Sequence, residues 1–309
     1  LSSCGMMCHK SGNFLCHMSD NLSSLSIIKR LHELDLFFVT TRTLADLFAL
    51  PPTRIYQVVA QLKESELLVE VENGKYLVLG FEPERVLANP LFIASQLVTP
   101  GYVSFWSALH YYGFTEQAPL TVFVATTKKK RPVVFHDHRF RFVTVQPHKL
   151  FGYRRETVGE LPVLIADEAK AIIDSLAEPR YAGGVAEVAK ALRAALGEVD
   201  VATLVDYANR MGDKSLGSRL GFLIGQLGQS LSVDDLIHSA SPVKLDPSRP
   251  TNGRMDSLWR VNLNLSAAEL FPLGVGGWLQ RRQTPPPAQN GPFSHFPRPR
   301  HPPNTRSQS

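Results

Sequence analysis

Beyond residue 16 this sequence contains no cysteine; Cys4, Cys8 and Cys16 are its three, in a chain of 309 residues. A body without thiols cannot be stapled by disulfides and offers no cysteine nucleophile, so a reducing cytoplasm is the expected compartment. Nor does the opening read as a metal knuckle. Cys-x3-Cys followed by Cys-His, with His9 and His17 alongside, is not a zinc-finger spacing, and no metal or other cofactor is expected. Long apolar runs are also missing. The segment Phe271 to Leu279 is far shorter than the roughly 18 to 20 residues a membrane helix requires, which argues against a membrane partner.

The signatures of common chemistries are absent as well. There is no G-x-x-x-x-G-K-[ST] phosphate loop, no G-x-S-x-G elbow and no H-E-x-x-H pair, and the chain is not expected to be an enzyme. Gly217-Ser218 sits inside a helical pattern rather than ahead of a strand with paired carboxylates, and Asp234-Asp235 reads as a helix start. His136-Asp137-His138 has ligand-type residues without a distant partner, and reads as a surface turn.

What is present is a 44% hydrophobic chain with a formal net charge of +5, long enough for two domains and mildly suited to a polyanion. Four segments are expected: a disordered or mis-started leader over 1–25, with Met18 a plausible beginning; a winged helix-turn-helix over 26–80; an α+β domain over 81–265; and a disordered Pro-rich tail over 266–309. The fold class is therefore α+β, the second domain combining a small sheet with a helical bundle.

The run from Ser26 to Gly80 carries the strongest pattern. Ser26 is placed as the cap of a helix whose Ile27, Ile28, Leu31 and Leu34 share one face, and Thr41 or Thr43 as the cap of a second with Leu44, Leu47 and Phe48 inward. Leu50 precedes Pro51, which disfavours helix there. Pro52 and Thr53 open a third helix running to about Glu66, with Ile55, Val58, Val59 and Leu62 inward. Two apolar runs then flank Asn73-Gly74, a pair suited to a two-residue hairpin turn. Three helices and a hairpin in this order are the grammar of a winged helix-turn-helix, whose second motif helix enters the major groove of DNA. Thr53, Arg54, Tyr56, Gln57 and Lys63 are the side chains left to meet double-stranded DNA, with Lys75 on the wing touching phosphate. The same module can instead serve as a protein-docking fold.

In the second domain, 81–88 reads as a connector and Pro90 to Gly113 as helical with a break at Pro100-Gly101. Strand-like runs follow at 120–125, 132–135, 140–145 and 161–165, then helices opened by Asp167, by Val185, by Val201 and by Asp213. The densest charge lies between Thr126 and Arg155: Lys128, Lys129, Lys130, Arg131, Arg139, Arg141, Lys149, Arg154 and Arg155 against Asp137 alone. Such a surface fits nucleic acid or an acidic protein face.

The winged-helix pattern, the segment Tyr102-Val103-Ser104-Phe105-Trp106-Ser107-Ala108-Leu109-His110-Tyr111-Tyr112-Gly113-Phe114-Thr115-Glu116-Gln117, the strand ending in Ala125-Thr126-Thr127 before basic residues, and the Leu245-Asp246-Pro247-Ser248 to Trp259-Arg260-Val261-Asn262 ending together resemble the AbiEi family, antitoxins of type IV abortive-infection toxin-antitoxin systems. The resemblance spans about 26–264. It implies a winged helix that represses its own operon and a C-terminal domain that counteracts a nucleotidyltransferase-like toxin, with no stable complex required. It also implies that Lys128 to Arg131 and Arg139 to Arg141 assist operator binding. The Cys-rich start and Pro-rich end have no counterpart in that family. A protein-interaction antitoxin without DNA binding, and a nuclease-like C-terminal enzyme, are the alternative readings.

Overall fold

Apolar residues three and four apart near the N-terminus build the first helix, α1 (Ser24–Glu33), which buries Ile27, Ile28 and Leu31. The computed structural model describes residues 23–271; the expectations concerning Cys4, Cys8, Cys16, His9, His17, Met18 and the chain beyond 271 lie outside the described residues. The cap of α1 is Ser23, whose hydroxyl accepts from the Ser26 amide, so the helix starts earlier than Ser26 and takes in residues assigned to the leader.

A short strand, β1 (Phe38–Thr40), follows between the first two helices. Thr40 ends this strand and caps α2 (Thr41–Leu47), accepting from Thr43 N–H at 3.0 Å, in place of Thr41 or Thr43. One residue thus changes the chain from extended to helical. After Ala49, at φ 50°, Pro51 becomes the N-cap and Pro52 the first residue of α3 (Pro52–Glu64). The inward side chains of α3 are Ile55, Val58, Val59 and Leu62, each contributing about 1.5–3 kcal/mol by leaving water. They pack with Ile27, Ile28, Leu31, Val39 and Leu44 in one apolar cluster.

The hairpin consists of β2 (Leu68–Glu72) and β3 (Lys75–Val78), with the sheet order β1-β3-β2 and all pairs antiparallel. Of its two turn residues only Gly74 has a positive φ, +69°. The register slips between Glu70 and Glu72, leaving Val71 as a bulge. Residues 83–87, read as connector, form a short helix, α4 (Pro83–Leu87). The chain divides after Leu87 into two compact units.

The second unit begins with α5 (Pro90–Gln96), β4 (Gly101–Val103) and α6 (Phe105–Tyr111). The expected break at Pro100-Gly101 is thus an inner strand. Next come β5 (Thr121–Thr126), β6 (Val133–Phe135), β7 (His138–Thr144), β8 (Tyr153–Val158) and β9 (Leu161–Ala166). They make a six-stranded mixed sheet in the order β6-β7-β5-β4-β9-β8, with β4–β9 and β5–β7 parallel. The small sheet of the sequence reading is therefore larger than expected, because β4 and β8 were not recognised.

Helices α7 (Glu168–Ala177), α8 (Val185–Ala195), α9 (Val201–Met211) and α10 (Lys214–Gln226) follow. Asp167 caps α7 by accepting from Lys170 N–H, and Asp213 caps α10. Asp234 and Asp235 lie in a single 3₁₀ turn. A second sheet of β10 (Val243–Lys244), β11 (Arg254–Asp256) and β12 (Val261–Leu263) closes onto α10. A Cβ on Gly217 would stand 1.9 Å from the Ile237 carbonyl oxygen, and one on Gly221 2.4 Å from the Trp259 ring, so both contacts require glycine. The described chain ends with α11 (Ala267–Leu270), held by a Ser266/Glu269 capping box in a region assigned to the tail. The architecture is mixed α+β, and among the described residues no helix is long and apolar enough to cross a membrane.

Candidate nucleic-acid interface

The face of α3 opposite its buried stripe carries Thr53, Tyr56, Gln57 and Ala60, with Arg54 on its flank; all are exposed, Tyr56 by 68%. The spacing is what a helix needs to align side chains on one side. Pro51 supplies no side-chain cap, leaving the positive end of the helix open. Arg54 has no acidic partner among the described residues, so this end offers one guanidinium, a hydroxyl, a phenol and an amide without a carboxylate among them.

The other two cations assigned to this interface are differently placed. Lys63 Nζ lies 2.6 Å from Glu70 Oε2, and Glu70 Oε1 accepts from Gly74 N–H at 3.3 Å, tying the far end of α3 to the hairpin turn. That hydrogen bond raises the Lys63 pKa and lowers that of Glu70. Lys75 Nζ lies 2.8 Å from Glu72 Oε2. Lys63 and Lys75, both expected to meet DNA, are thus each paired with a carboxylate of the hairpin. Across 23–87 seven Lys and Arg face nine Asp and Glu.

In the second unit, Lys128, Lys129 and Arg131 are exposed in the loop between β5 and β6, and Lys130 lies 5.1 Å over the Phe142 ring. Arg139 and Arg141 alternate with buried Phe140 and Phe142 along β7 and emerge on one face. The Arg141 guanidinium sits 4.9 Å from the Tyr181 ring centre, and Arg180 sits 4.7 Å from the same ring. Arg180 and Tyr181 thus join Arg139 and Arg141, a grouping that sequence separation concealed. Arg154, by contrast, is bound by Glu168 at 2.8 Å through two nitrogens and by Glu156.

Sequence reading also missed a fully buried polar centre. Lys170 and Asp174, one turn apart on α7, form an ion pair; Asp174 Oδ2 accepts from Tyr102 OH at 3.0 Å and from Ser104 Oγ at 2.7 Å. Phe151 lies 4.5 Å from Lys170 Nζ, and Met211 Sδ 3.4 Å. Burial and the adjacent carboxylate push the Tyr102 phenol well above its ordinary pKa. The spacing gave no signal of it, since a Lys and an Asp four apart are the usual pattern of a solvated helix face; what buries them is the packing of β4 and α9 over α7. Their role as seen is to bind α7 to β4. Among the described residues no three His, Cys, Asp or Glu side chains gather as a metal group.

No family model matches the chain, and no curated protein does. Among solved structures, the crystal structure of the RV2827C protein from Mycobacterium tuberculosis is similar, with a TM-score of 0.51 at 11% identity, covering 78% of this chain and 92% of that one. At that identity the likeness is one of fold.

Proposed function

We propose that the first unit is a winged helix-turn-helix binding double-stranded operator DNA, and that the protein is a cytoplasmic autorepressor and antitoxin of the AbiEi type. In this reading α2 and α3 are the helix-turn-helix, the hairpin β2–β3 is the wing, and the second unit counteracts a nucleotidyltransferase-like toxin. The carrying observation is the exposed Thr53, Arg54, Tyr56 and Gln57 set on the open end of α3, held from behind by four buried aliphatic side chains. Arg and Gln in a major groove read guanine and adenine edges, respectively. Lys128 to Arg131, Arg139 and Arg141 then supply phosphate contacts from the second unit.

The test is a comparison of a duplex taken from upstream of the gene with a random duplex of equal length at moderate salt. The protein prefers the former, and Arg54→Ala with Gln57→Ala abolishes that preference without altering the fold. Equal affinity of the unaltered protein for both duplexes refutes operator recognition. The excess of acids over bases in 23–87 favours a second reading, in which the first unit docks a protein. The double variant would then keep any protection against the toxin, while the unaltered protein would fail to repress its promoter.

A further inference from the structure

We propose that Glu70 and Glu72 serve as built-in phosphate surrogates that remove Lys63 and Lys75 from the sequence-independent part of DNA binding. The inference rests on the DNA-binding reading above and concerns how strongly, and with what salt dependence, that surface engages a duplex.

The geometry gives each wing-side cation its own anion. Glu70 holds Lys63 at 2.6 Å with one oxygen and the Gly74 amide with the other, so the carboxylate is fixed between α3 and the turn. Glu72 holds Lys75 at 2.8 Å across the closing pair of the hairpin. All four side chains are part-exposed, between 31% and 42%. A phosphate can therefore compete for either lysine.

The consequence follows from ion counting. A lysine that meets a phosphate displaces about 0.9 condensed cation from B-DNA, and this release drives non-specific affinity at low salt. Here the lysine and its carboxylate meet the duplex as a unit of zero net charge. Such a unit neutralises no phosphate and releases no condensed cation, so its contribution to the salt slope is near zero. On α3 and the wing, what remains is the open end of α3, with Arg54 as its one cation without an acidic partner and neutral hydrogen-bonding groups around it. Glu70 and Glu72 are on this account affinity-setting residues: they make the first unit's share of retention on DNA depend on what Thr53, Arg54, Tyr56 and Gln57 find in the groove.

The experiment measures affinity against salt concentration for the full chain and its Glu70→Gln, Glu72→Gln and Lys63→Gln/Glu70→Gln variants, on the upstream duplex and on a random duplex. Glutamine keeps an oxygen for the Gly74 amide, and thermal melting confirms that each variant folds. The expected result is that Glu70→Gln and Glu72→Gln each bind both duplexes about three- to tenfold more tightly at low salt, with slopes steeper by about 0.9. Lys63→Gln/Glu70→Gln returns to the original slope, because the pair is again neutral. Selective binding by the original protein with unchanged slopes in both single variants overturns the inference alone. Retention of the gain in Lys63→Gln/Glu70→Gln also overturns it, since relief of repulsion would then suffice. No binding of either duplex by the original protein refutes the DNA-binding reading, and the inference falls with it.

Discussion

Replacing Asp174 by alanine takes the shared carboxylate acceptor away from three buried donors: Lys170 Nζ, Tyr102 OH and Ser104 Oγ. Lys170 is fully buried, and beside Asp174 its ammonium group meets the Phe151 ring at 4.5 Å and the Met211 sulfur at 3.4 Å, neither of which can neutralise it. An uncompensated buried charge costs about 3–5 kcal/mol, against a typical domain stability of about 5–15. Asp174→Ala therefore removes a large share of the stability of the second unit. Lys170→Met costs somewhat less, because the carboxylate keeps two hydroxyl donors. The decisive variant is the double one. Lys170→Met in the Asp174→Ala background eliminates the stranded cation and leaves only two unpaired hydroxyls, so it restores stability relative to Asp174→Ala by about 1–3 kcal/mol. Urea unfolding followed by fluorescence of Trp106 and Trp259, both in this unit, provides the measurement. A double variant less stable than Asp174→Ala, with the two losses simply adding, refutes the reasoning, since it would mean that the two groups do not depend on each other.

The glycines of α10 give a second test: Gly221→Ala drives a methyl into the Trp259 ring and destabilises by about 1–3 kcal/mol, whereas Gly225→Ala, with nothing within 4 Å of the new Cβ, stabilises the helix by about 0.5–1 kcal/mol. Thermal or urea unfolding of the two variants should move in opposite directions, and a shared direction refutes the contact. At the chain's last described helix, hydrogen bonds from Ser266 N–H, Arg249 and the Ser266 hydroxyl hold the Glu269 carboxyl down to about 2, from 4.5. The folded-state value lies below the unfolded one, so this cap is fully effective above about pH 4.5 and is lost as pH falls toward about 2. A carboxyl-carbon NMR titration should show that midpoint, and Arg249→Met should raise it; a midpoint near 4.5 in the unaltered protein would contradict the cap.

How legible the molecule was in its sequence depended on where each element's reason for forming lies. Helices with an apolar stripe and a clear end signal were plain: α7 and α10 start after their side-chain caps Asp167 and Asp213, and α9 runs from Val201 to Met211 and stops at Gly212, φ 66°. Strands whose support is tertiary were not. Tyr153-Arg154-Arg155-Glu156 is too charged to read as a strand, yet Arg154 is neutralised by Glu168 and Glu156, and β8 pairs with β9 along its full length. Phe38–Thr40 is too short to show a period of two, and it exists because β3 offers it an edge. In the candidate interface the exposed positions of α3 followed from the helical period alone. The partner of Lys63 did not, because Glu70 reaches it only once the hairpin has folded back beside the helix. Arg180 and Tyr181 escaped for the same reason, being some forty residues from Arg141 along the chain.

The place of β4 bears on the order in which the second unit assembles. Its three residues stand between β5 on one side and β9 on the other. The β5 partners arrive by residue 126, and β7 completes that half of the sheet by residue 144. Ile165, which pairs with Val103, comes later still, followed by the Lys170 and Asp174 that bind α7 to the same strand. During synthesis the chain therefore passes through a stage with half a sheet built and one side of β4 waiting. Pairings this distant in sequence are slow to close, since the intervening loop must first be ordered. The late arrival of β9 and α7 is the step at which this unit is most exposed to mispairing.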